Sequence, residues 1–195
     1  MSGLRERKKA RTRETIQREA LRLIASRGYD AMTCEQIAAA AEVSPATLFR
    51  YFATKEDIVL QDGYDPLIAS AVRARPTDED PLTAVRRGFA EAFADVYQGD
   101  LEVIRARTAL ILSVPALRAR SREQQESLVS HLSTVLAERG GERRDGLDVE
   151  VAASVCAAVV STAVERWARE GGDLPSIVEA AFAAVSSLVG RSAIR

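Results

Sequence analysis

Apolar side chains recur at helical spacing near the start of the chain. Between Thr12 and Gly28 they fall at intervals of four, three and one residues, which places them on one face of a helix. These apolar residues are Ile16, Ala20, Leu23 and Ile24. Gly28 is suited to end the helix, because glycine readily adopts the left-handed conformation that closes many helices. The pattern predicts an amphipathic first helix.

Two short helices are predicted next, each with a clear start. Thr33 is followed by Gln36, the pair that forms a capping box at a helix N-terminus. The narrow apolar face of this second helix consists of Ile37, Ala38 and Ala41. After a link at residues 42–43, Ser44 is a favoured N-cap, and Pro45 suits the first position of a third helix. Together they predict a helix-turn-helix, a motif whose second helix enters the major groove of DNA.

The third helix carries more aromatic residues than a small core requires. Leu48 and Phe52 are four residues apart and are expected to face inward. Phe49, Arg50 and Tyr51 then remain for an outside partner. Hydroxyl groups bind phosphate, arginine donates two hydrogen bonds to guanine, and apolar side chains contact the thymine methyl group. The alternative is that these aromatic residues only close a three-helix core.

The rest of the chain divides into further apolar-periodic stretches. Helices are predicted near residues 55–75, 81–99, 101–112, 116–139, 147–170 and 175–189, with Asp100 as an N-cap. The predicted fold class is therefore all-α, with about nine helices. We expect a three-helix domain over residues 1–54 and a larger helical domain over residues 55–195.

Composition and the distribution of charge indicate what kind of partner the protein binds. The chain has 195 residues, of which 47% are hydrophobic, and only 11 Gly and 6 Pro, as suits a helical soluble protein. Residues 1–55 hold 11 Lys or Arg against 6 Asp or Glu, whereas residues 56–195 hold 16 against 22. This asymmetry predicts that the first segment binds a polyanion. A solvated basic tail is the alternative.

Several classes of protein are not favoured. No uninterrupted apolar run is long enough to span a bilayer, and the charged N-terminus lacks the apolar segment of a signal peptide. Cys34 and Cys156 lack metal-ligand spacing, so we expect reduced, buried thiols in a cytoplasmic protein. His131 is the sole histidine and has no nucleophile motif near it. We therefore expect no enzyme, metal, cofactor or membrane partner.

The segment TCEQIAAAAEVSPATLFRYFATKEDIV, residues 33–59, resembles the DNA-binding signature of the TetR family of transcriptional regulators. The shared features are a threonine, Ile-Ala, Val-Ser, Thr-Leu-aromatic, Tyr-Phe and Lys-Glu at matching spacing, and the resemblance covers about residues 10–60. It implies a ligand-responsive regulator, most often a repressor, that binds a palindromic operator in double-stranded DNA as a homodimer. It also implies a DNA-binding role for residues 1–54 and a ligand-binding and dimerisation role for residues 55–195.

The resemblance also implies roles for single positions. By this resemblance Thr33 and Lys55 contact phosphates, and Phe49 and Tyr51 lie beside the DNA backbone. The positions at which the family reads bases are Pro45, Ala46 and Thr47. With the residues argued above, the candidate DNA-binding set is Thr33, Ser44, Pro45, Ala46, Thr47, Phe49, Arg50, Tyr51 and Lys55. Two positions depart from the family pattern. Glu42 stands where the family commonly has Gly, at an expected cost of about 1–2 kcal/mol if it is left-handed, and Phe49 stands where Tyr is common.

The last two predicted helices, about residues 147–170 and 175–189, are rich in small apolar residues. Helices that are apolar on more than one side need partners on more than one side. They are either central to the monomer or part of a dimer interface. TetR-like proteins associate through two helices of each subunit, so the resemblance implies a homodimer through this pair.

Apolar side chains with a few polar groups in the middle helices are candidates for lining a small-molecule cavity. They are Phe89, Phe93, Ile104, Arg107, Thr108, Leu112, Leu128 and Trp167. Ordinary core packing is the alternative for each of them. Residues 101–120 and 166–182 resemble those of actinobacterial members of the family that are thought to bind acyl-coenzyme A-like ligands. The expected effector is therefore an acyl-coenzyme A-like or another apolar compound.

Besides the repressor, a protein-interaction module with a vestigial helix-turn-helix remains open. It predicts that Thr47→Ala and Lys55→Ala leave DNA affinity unchanged, whereas a regulator predicts weaker binding. In the repressor hypothesis, ligand shifts the helix that begins at Lys55 and changes the separation of the two recognition helices.

Overall fold

The computed structural model describes residues 2–61, 64–96, 101–140 and 146–192, and this part of the chain is helical without strands. The helices in chain order are α1 (Ser2–Arg27), α2 (Cys34–Ala40), α3 (Pro45–Tyr51), α4 (Lys55–Leu60), α5 (Tyr64–Ala74), α6 (Pro81–Val96), α7 (Leu101–Ser113), α8 (Pro115–Gly140), α9 (Gly146–Glu170) and α10 (Leu174–Ser192). The all-α prediction is confirmed. The predicted cap at Asp100 and the predicted helix end near Gly99 lie outside the described residues.

One predicted helix is divided. The sequence pattern gave a single helix over residues 55–75, but α4 ends at Leu60 and α5 begins at Tyr64. Gln61, the C-cap of α4, has φ −79° and ψ 105°, which is extended backbone. Apolar periodicity alone does not detect such a break, since both helices continue to bury apolar residues. The first helix also starts earlier than predicted, at Ser2 rather than near Thr12.

The chain forms two compact units. The first comprises the described residues of 1–62 together with 114–117, and the second comprises the described residues of 63–113 and 118–195. The first unit therefore contains α4 in addition to the three helices predicted for residues 1–54. The predicted functional division at residues 54 and 55 stays a prediction.

The first unit is built on the apolar faces that the sequence predicted. Its buried side chains include Ile16, Ala20, Leu23, Ile24, Ile37, Ala38, Leu48, Phe52, Ile58 and Val59. The left-handed Gly28, with φ 85°, ends α1 as expected. Its N–H donates to the carbonyl of Ile24 at 2.8 Å. The predicted inward faces of the first three helices are thus confirmed.

The second unit has one large apolar cluster that includes α9. This helix buries Val149, Ala153, Cys156, Ala157, Val159, Val160, Ala163, Trp167 and Ala168. Asp148 and Glu150 interrupt the apolar residues of α9, so it contains no uninterrupted apolar run of membrane-spanning length. An 18-residue stretch of this 25-residue helix nevertheless has a mean hydropathy of 1.7, and by length and composition alone α9 could cross a membrane. Its buried face explains that composition, because the central helix of a core must be apolar on a wide face.

Candidate nucleic-acid interface

The start of α2 is fixed by Thr33. The hydroxyl of Thr33 accepts a hydrogen bond from the Gln36 N–H at 3.3 Å, and the Gln36 side chain accepts one from the Thr33 N–H at 3.1 Å. This reciprocal pair is the predicted capping box. Thr33 is exposed, so its side chain lies at the surface of the unit at the N-terminus of α2. An anion there is favoured by the helix dipole.

The turn between α2 and α3 holds a residue in a strained conformation. Glu42 has φ 55°, the left-handed region that favours glycine. Its N–H donates to Ala39 at 3.2 Å and the Val43 N–H donates to Ala38 at 2.9 Å. These two bonds form a Schellman motif, which requires a left-handed residue at this position. The carboxylate also lies at a helix C-terminus, where negative charge is unfavourable.

We predict that Glu42→Gly makes the first unit about 1 kcal/mol more stable than Glu42→Ala does. Both variants remove the carboxylate, and only glycine relieves the left-handed strain. Amide hydrogen exchange of peptides that cover residues 34–52 measures the difference. Equal protection in the two variants would show that Glu42 carries no backbone strain.

Helix α3 is capped by Ser44, whose hydroxyl accepts the Thr47 N–H at 3.1 Å and donates to the Thr47 hydroxyl at 2.9 Å. Pro45 occupies the first turn, as predicted. The Thr47 hydroxyl thereby accepts one bond and keeps its own proton available for an outside acceptor. The cap shows how a seven-residue helix is held in place at its N-terminus.

The two faces of α3 differ sharply. Leu48 and Phe52 are 0% and 1% exposed, whereas Phe49 is 49% exposed. Arg50 is exposed, and its guanidinium lies 5.6 Å from the centre of the Tyr51 ring. The remaining outward residues, Ser44, Pro45 and Ala46, are exposed, and Thr47 and Tyr51 are half-buried. The candidate residues of α3 therefore lie around the buried pair Leu48 and Phe52, and none of them is in the core.

The ammonium group of Lys55 forms hydrogen bonds within the protein, which the sequence did not indicate. Its ammonium group donates to the carbonyls of Tyr29 at 3.0 Å and Met32 at 3.2 Å, and it lies 4.1 Å from the centre of the Tyr29 ring. An ammonium group has three protons, so these bonds leave one for a phosphate. Lys55 thus ties the start of α4 to the loop between α1 and α2, next to Thr33.

The same loop is held to α4 by a second bond. The Tyr29 hydroxyl donates to the Glu56 carboxylate at 2.6 Å. This bond lowers the pKa of Glu56 below its usual range, while burial and the nearby carboxylate raise the pKa of Tyr29. The carboxylate and the phenol therefore stay in the states that keep the bond at neutral pH.

The other end of α4 is bound to α1. Gln17 donates to the carbonyl of Ile58 at 3.1 Å and to that of Gln61. Arg13 donates to the Gln61 side chain at 2.7 Å, and its guanidinium lies 4.5 Å from the centre of the Phe52 ring. Helix α4 is thereby attached at its start to the loop before α2 and at its end to α1. No local pattern of residues indicates these contacts, because their partners are more than forty residues apart.

The candidate ligand-binding residues of the second unit fall into two groups. Phe89, Phe93, Ile104, Leu128 and Trp167 are buried in its apolar cluster. The other three, Arg107, Thr108 and Leu112, are half-buried on α7. Their burial agrees with both alternatives, ordinary core packing and the lining of a small-molecule cavity.

Contacts within this cluster add one residue that the sequence analysis missed. The rings of Phe89 and Phe93 stack with centres 4.3 Å apart. Tyr64, at the start of α5, lies 5.5 Å from the ring of Phe93 and 5.5 Å from the guanidinium of Arg107. Tyr64 therefore joins a predicted aromatic residue to a predicted polar one. It was missed because the pattern placed it in the middle of a longer helix.

The polar groups of Thr108 and Trp167 are hydrogen-bonded to nearby backbone carbonyls, Thr108 within α7 and Trp167 to the loop after α9. The Thr108 hydroxyl donates to the carbonyl of Ile104 at 2.9 Å, and the Trp167 indole donates to that of Gly172 at 3.1 Å. Two surface grooves of the second unit, of about 450 and 280 Å³, are lined by residues outside the candidate set.

The burial and the hydrogen bonds of the two cysteines and the histidine give no sign of catalytic activation. Cys156 is buried, and burial raises the pKa of its thiol to about 12. Cys34 is only half-buried, which corrects the expectation of a buried thiol, and desolvation still raises its pKa. Both thiols therefore stay protonated at neutral pH, the less reactive form. His131 is exposed on α8, with Nδ1 2.7 Å from the carbonyl of Ser127.

Comparison with known proteins identifies both parts of the chain. A family model described as bacterial regulatory proteins of the tetR family matches residues 16–61. A model described as the MftR C-terminal domain, itself a TetR-type C-terminal model, matches residues 79–189. The HTH-type transcriptional regulator TcmR of Streptomyces glaucescens is 34% identical in an alignment that covers 95% of this chain and 86% of that protein.

Solved structures share the fold. A TetR-family transcriptional regulator from Syntrophomonas wolfei has a TM-score of 0.65 at 20% identity, over 92% of this chain and 95% of that one. FadR from Bacillus subtilis, solved in complex with stearoyl-CoA, has a TM-score of 0.55 at 21% identity, over 87% of this chain and 95% of that one. The arrangement of helices described above is thus one that solved regulators adopt.

Proposed function

This chain belongs to the TetR family of bacterial regulatory proteins, and from that premise we propose that it is a repressor released from a palindromic operator by a small, largely apolar effector. The family consists of DNA-binding regulators, not enzymes. The observation that carries the proposal is that α3 has a buried and an exposed face. Leu48 and Phe52 are buried, whereas Phe49 and Arg50 are exposed.

In the proposed complex, α3 lies in the major groove. Pro45, Ala46, Thr47 and Arg50 contact base edges, because they occupy the exposed first turns and outer side of the helix. The remaining candidates contact the sugar-phosphate backbone of the DNA. They are Thr33 at the N-terminus of α2, Ser44, Phe49 and Tyr51 on α3, and Lys55, whose ammonium group donates its remaining proton to a phosphate. Phosphate contacts set the position of α3, and base contacts set its sequence preference.

We propose that α9 and α10 form the homodimer interface. Each exposes a stripe of small or apolar side chains at helical spacing: Leu147, Val151, Ser154 and Ala158 on α9, and Ala180, Ala183, Ala184 and Leu188 on α10. Leu147 and Leu188 are each 68% exposed and extend these stripes, and a contiguous exposed apolar surface marks an interaction site. A two-fold dimer suits an operator with half-sites about 34–36 Å apart.

The effector is proposed to bind among the helices that carry Phe89, Phe93, Ile104, Leu128 and Trp167, with Arg107, Thr108 and Leu112 beside it. The match to FadR in complex with stearoyl-CoA supports an acyl-coenzyme A-like compound as the first class to test. A long apolar chain suits the apolar cluster, and a guanidinium suits phosphate or carboxylate. Binding would displace α4, and the bonds of α4 to α1 would carry the first unit with it.

The proposal is tested by selecting DNA from a random double-stranded pool and then titrating stearoyl-CoA into the complex of protein and selected operator. We expect an enriched palindrome and a weaker complex at saturating ligand, because a ligand shifts binding only by its differential affinity for the two states. Selection without a palindrome would contradict the operator proposal. An operator affinity that no acyl-coenzyme A changes would contradict the proposed effector class.

A further inference from the structure

A basic groove lies beside the helix-turn-helix within the first unit. It has a volume of about 600 Å³ and extends between the N-terminal half of α1 and the turn from α2 to α3. Arg7, Lys8 and Arg11 line its α1 side. Ala41 and Val43, which flank the turn residue in the sequence, line the opposite side. The groove therefore adjoins the beginning of the proposed recognition helix.

The three cationic side chains of the groove lie close together on α1. Arg7 and Arg11 are four residues apart and Lys8 and Arg11 three apart, so they are neighbours on one side of α1. All three side chains are exposed. Across residues 2–61, 64–96, 101–140 and 146–192, no described side chain forms an ion pair or hydrogen bond with any of the three. Their charge is thus available to an anion from outside.

The polar groups deeper in the groove are already occupied. The Thr12 hydroxyl donates to the carbonyl of Lys8 at 3.0 Å, and the Thr15 hydroxyl donates to that of Arg11 at 2.9 Å. Both residues line the groove, yet their protons are used within α1. An anion would therefore be held by the three cations. A groove with several cations in a row fits a polyanion better than a single small ion.

We propose that this groove holds the sugar-phosphate backbone of the operator, next to the bases that α3 reads. Val43 lines the groove and is followed directly by Ser44, the N-cap of α3, so a duplex that receives α3 brings its backbone to this side of the unit. The inference rests on the proposed function and adds a DNA contact made by α1, outside the helix-turn-helix. It is sequence-independent, because it involves phosphates only.

The test is the variant Arg7→Gln/Lys8→Gln/Arg11→Gln, studied in the full chain with the selected operator. Each phosphate contact contributes about 0.9 to the slope of log affinity against log salt. We expect the slope to fall by about 3 for each protomer bound, and affinity at about 0.15 M salt to fall at least tenfold. Unrelated DNA should lose affinity by the same factor. A hydroxyl-radical footprint should lose protection beside each half-site while protection within it remains.

The matched control is Arg18→Gln/Arg22→Gln/Arg27→Gln, which removes the same charge from exposed arginines farther along α1. We expect a much smaller change in slope. An equal loss in both variants would mean that general charge, not the groove, is responsible, and an unchanged slope in the groove variant would overturn the inference. If the triple variant does not fold, the three single variants should each lower the slope by about 1 for each protomer bound. Failure of the wild-type chain to select any operator would instead count against the proposed function.

Discussion

Gly88→Ala is expected to lower the free energy of unfolding of the second unit by about 2 kcal/mol. Gly88 lies on α6 where this helix crosses α5. A Cβ atom added there would lie 2.7 Å from a side-chain carbon of Val72, 2.8 Å from its backbone nitrogen and 2.9 Å from its Cα. Backbone atoms cannot turn aside as a flexible side chain can, so the two helices must separate. Overpacking costs about 1–3 kcal/mol or more, and the upper end applies here because two of the three close atoms are backbone atoms. The better helix propensity of alanine returns about 1 kcal/mol.

The measurement is urea unfolding followed by the fluorescence of Trp167, the sole tryptophan, which lies in the same apolar cluster as Val72. The matched control is Gly146→Ala in the same unit, where an added Cβ meets nothing within 4 Å. It should leave stability unchanged or raise it slightly. If the two alanine variants unfold at the same urea concentration, the close approach of α5 and α6 at Gly88 is not tight.

Arg50→Gln is expected to weaken operator binding by about 30-fold to 10⁴-fold. Arg50 is exposed on α3, and its guanidinium lies 5.6 Å from the Tyr51 ring, which holds it at the outer side of the helix. Arginine that donates two hydrogen bonds to guanine contributes about 1–3 kcal/mol of discrimination. A two-fold dimer makes the contact twice, once in each half-site, so the cost doubles.

The diagnostic result is a change of preference as well as of affinity. Competition with operators altered at each position should show Arg50→Gln losing discrimination at one base pair of each half-site. Arg27→Gln, which removes the same charge from the exposed end of α1, should leave that preference intact. A uniform loss across all sequences, with a lower salt slope, would instead identify Arg50 as a phosphate contact.

Local features of this protein followed from its sequence. The caps at Thr33 and Ser44 rest on residues three apart, and the left-handed Gly28 rests on one residue. The inward position of Leu48 and the outward position of Phe49 follow from the helical repeat. In each case the determining atoms lie within one helical turn. Such features form with little help from the rest of the chain, so a pattern of residues predicts them.

The tertiary structure alone decided which distant residues meet. The pattern gave no sign that Lys55 would be bound by the loop before α2, or that α4 would be tied to Gln17 and separated from α5. It likewise did not reveal the close approach at Gly88 or the groove at Arg11. Helical periodicity fixes the face on which a side chain lies, whereas its partner depends on how the helices cross. That crossing is set by the packing of all side chains together, which no local spacing records.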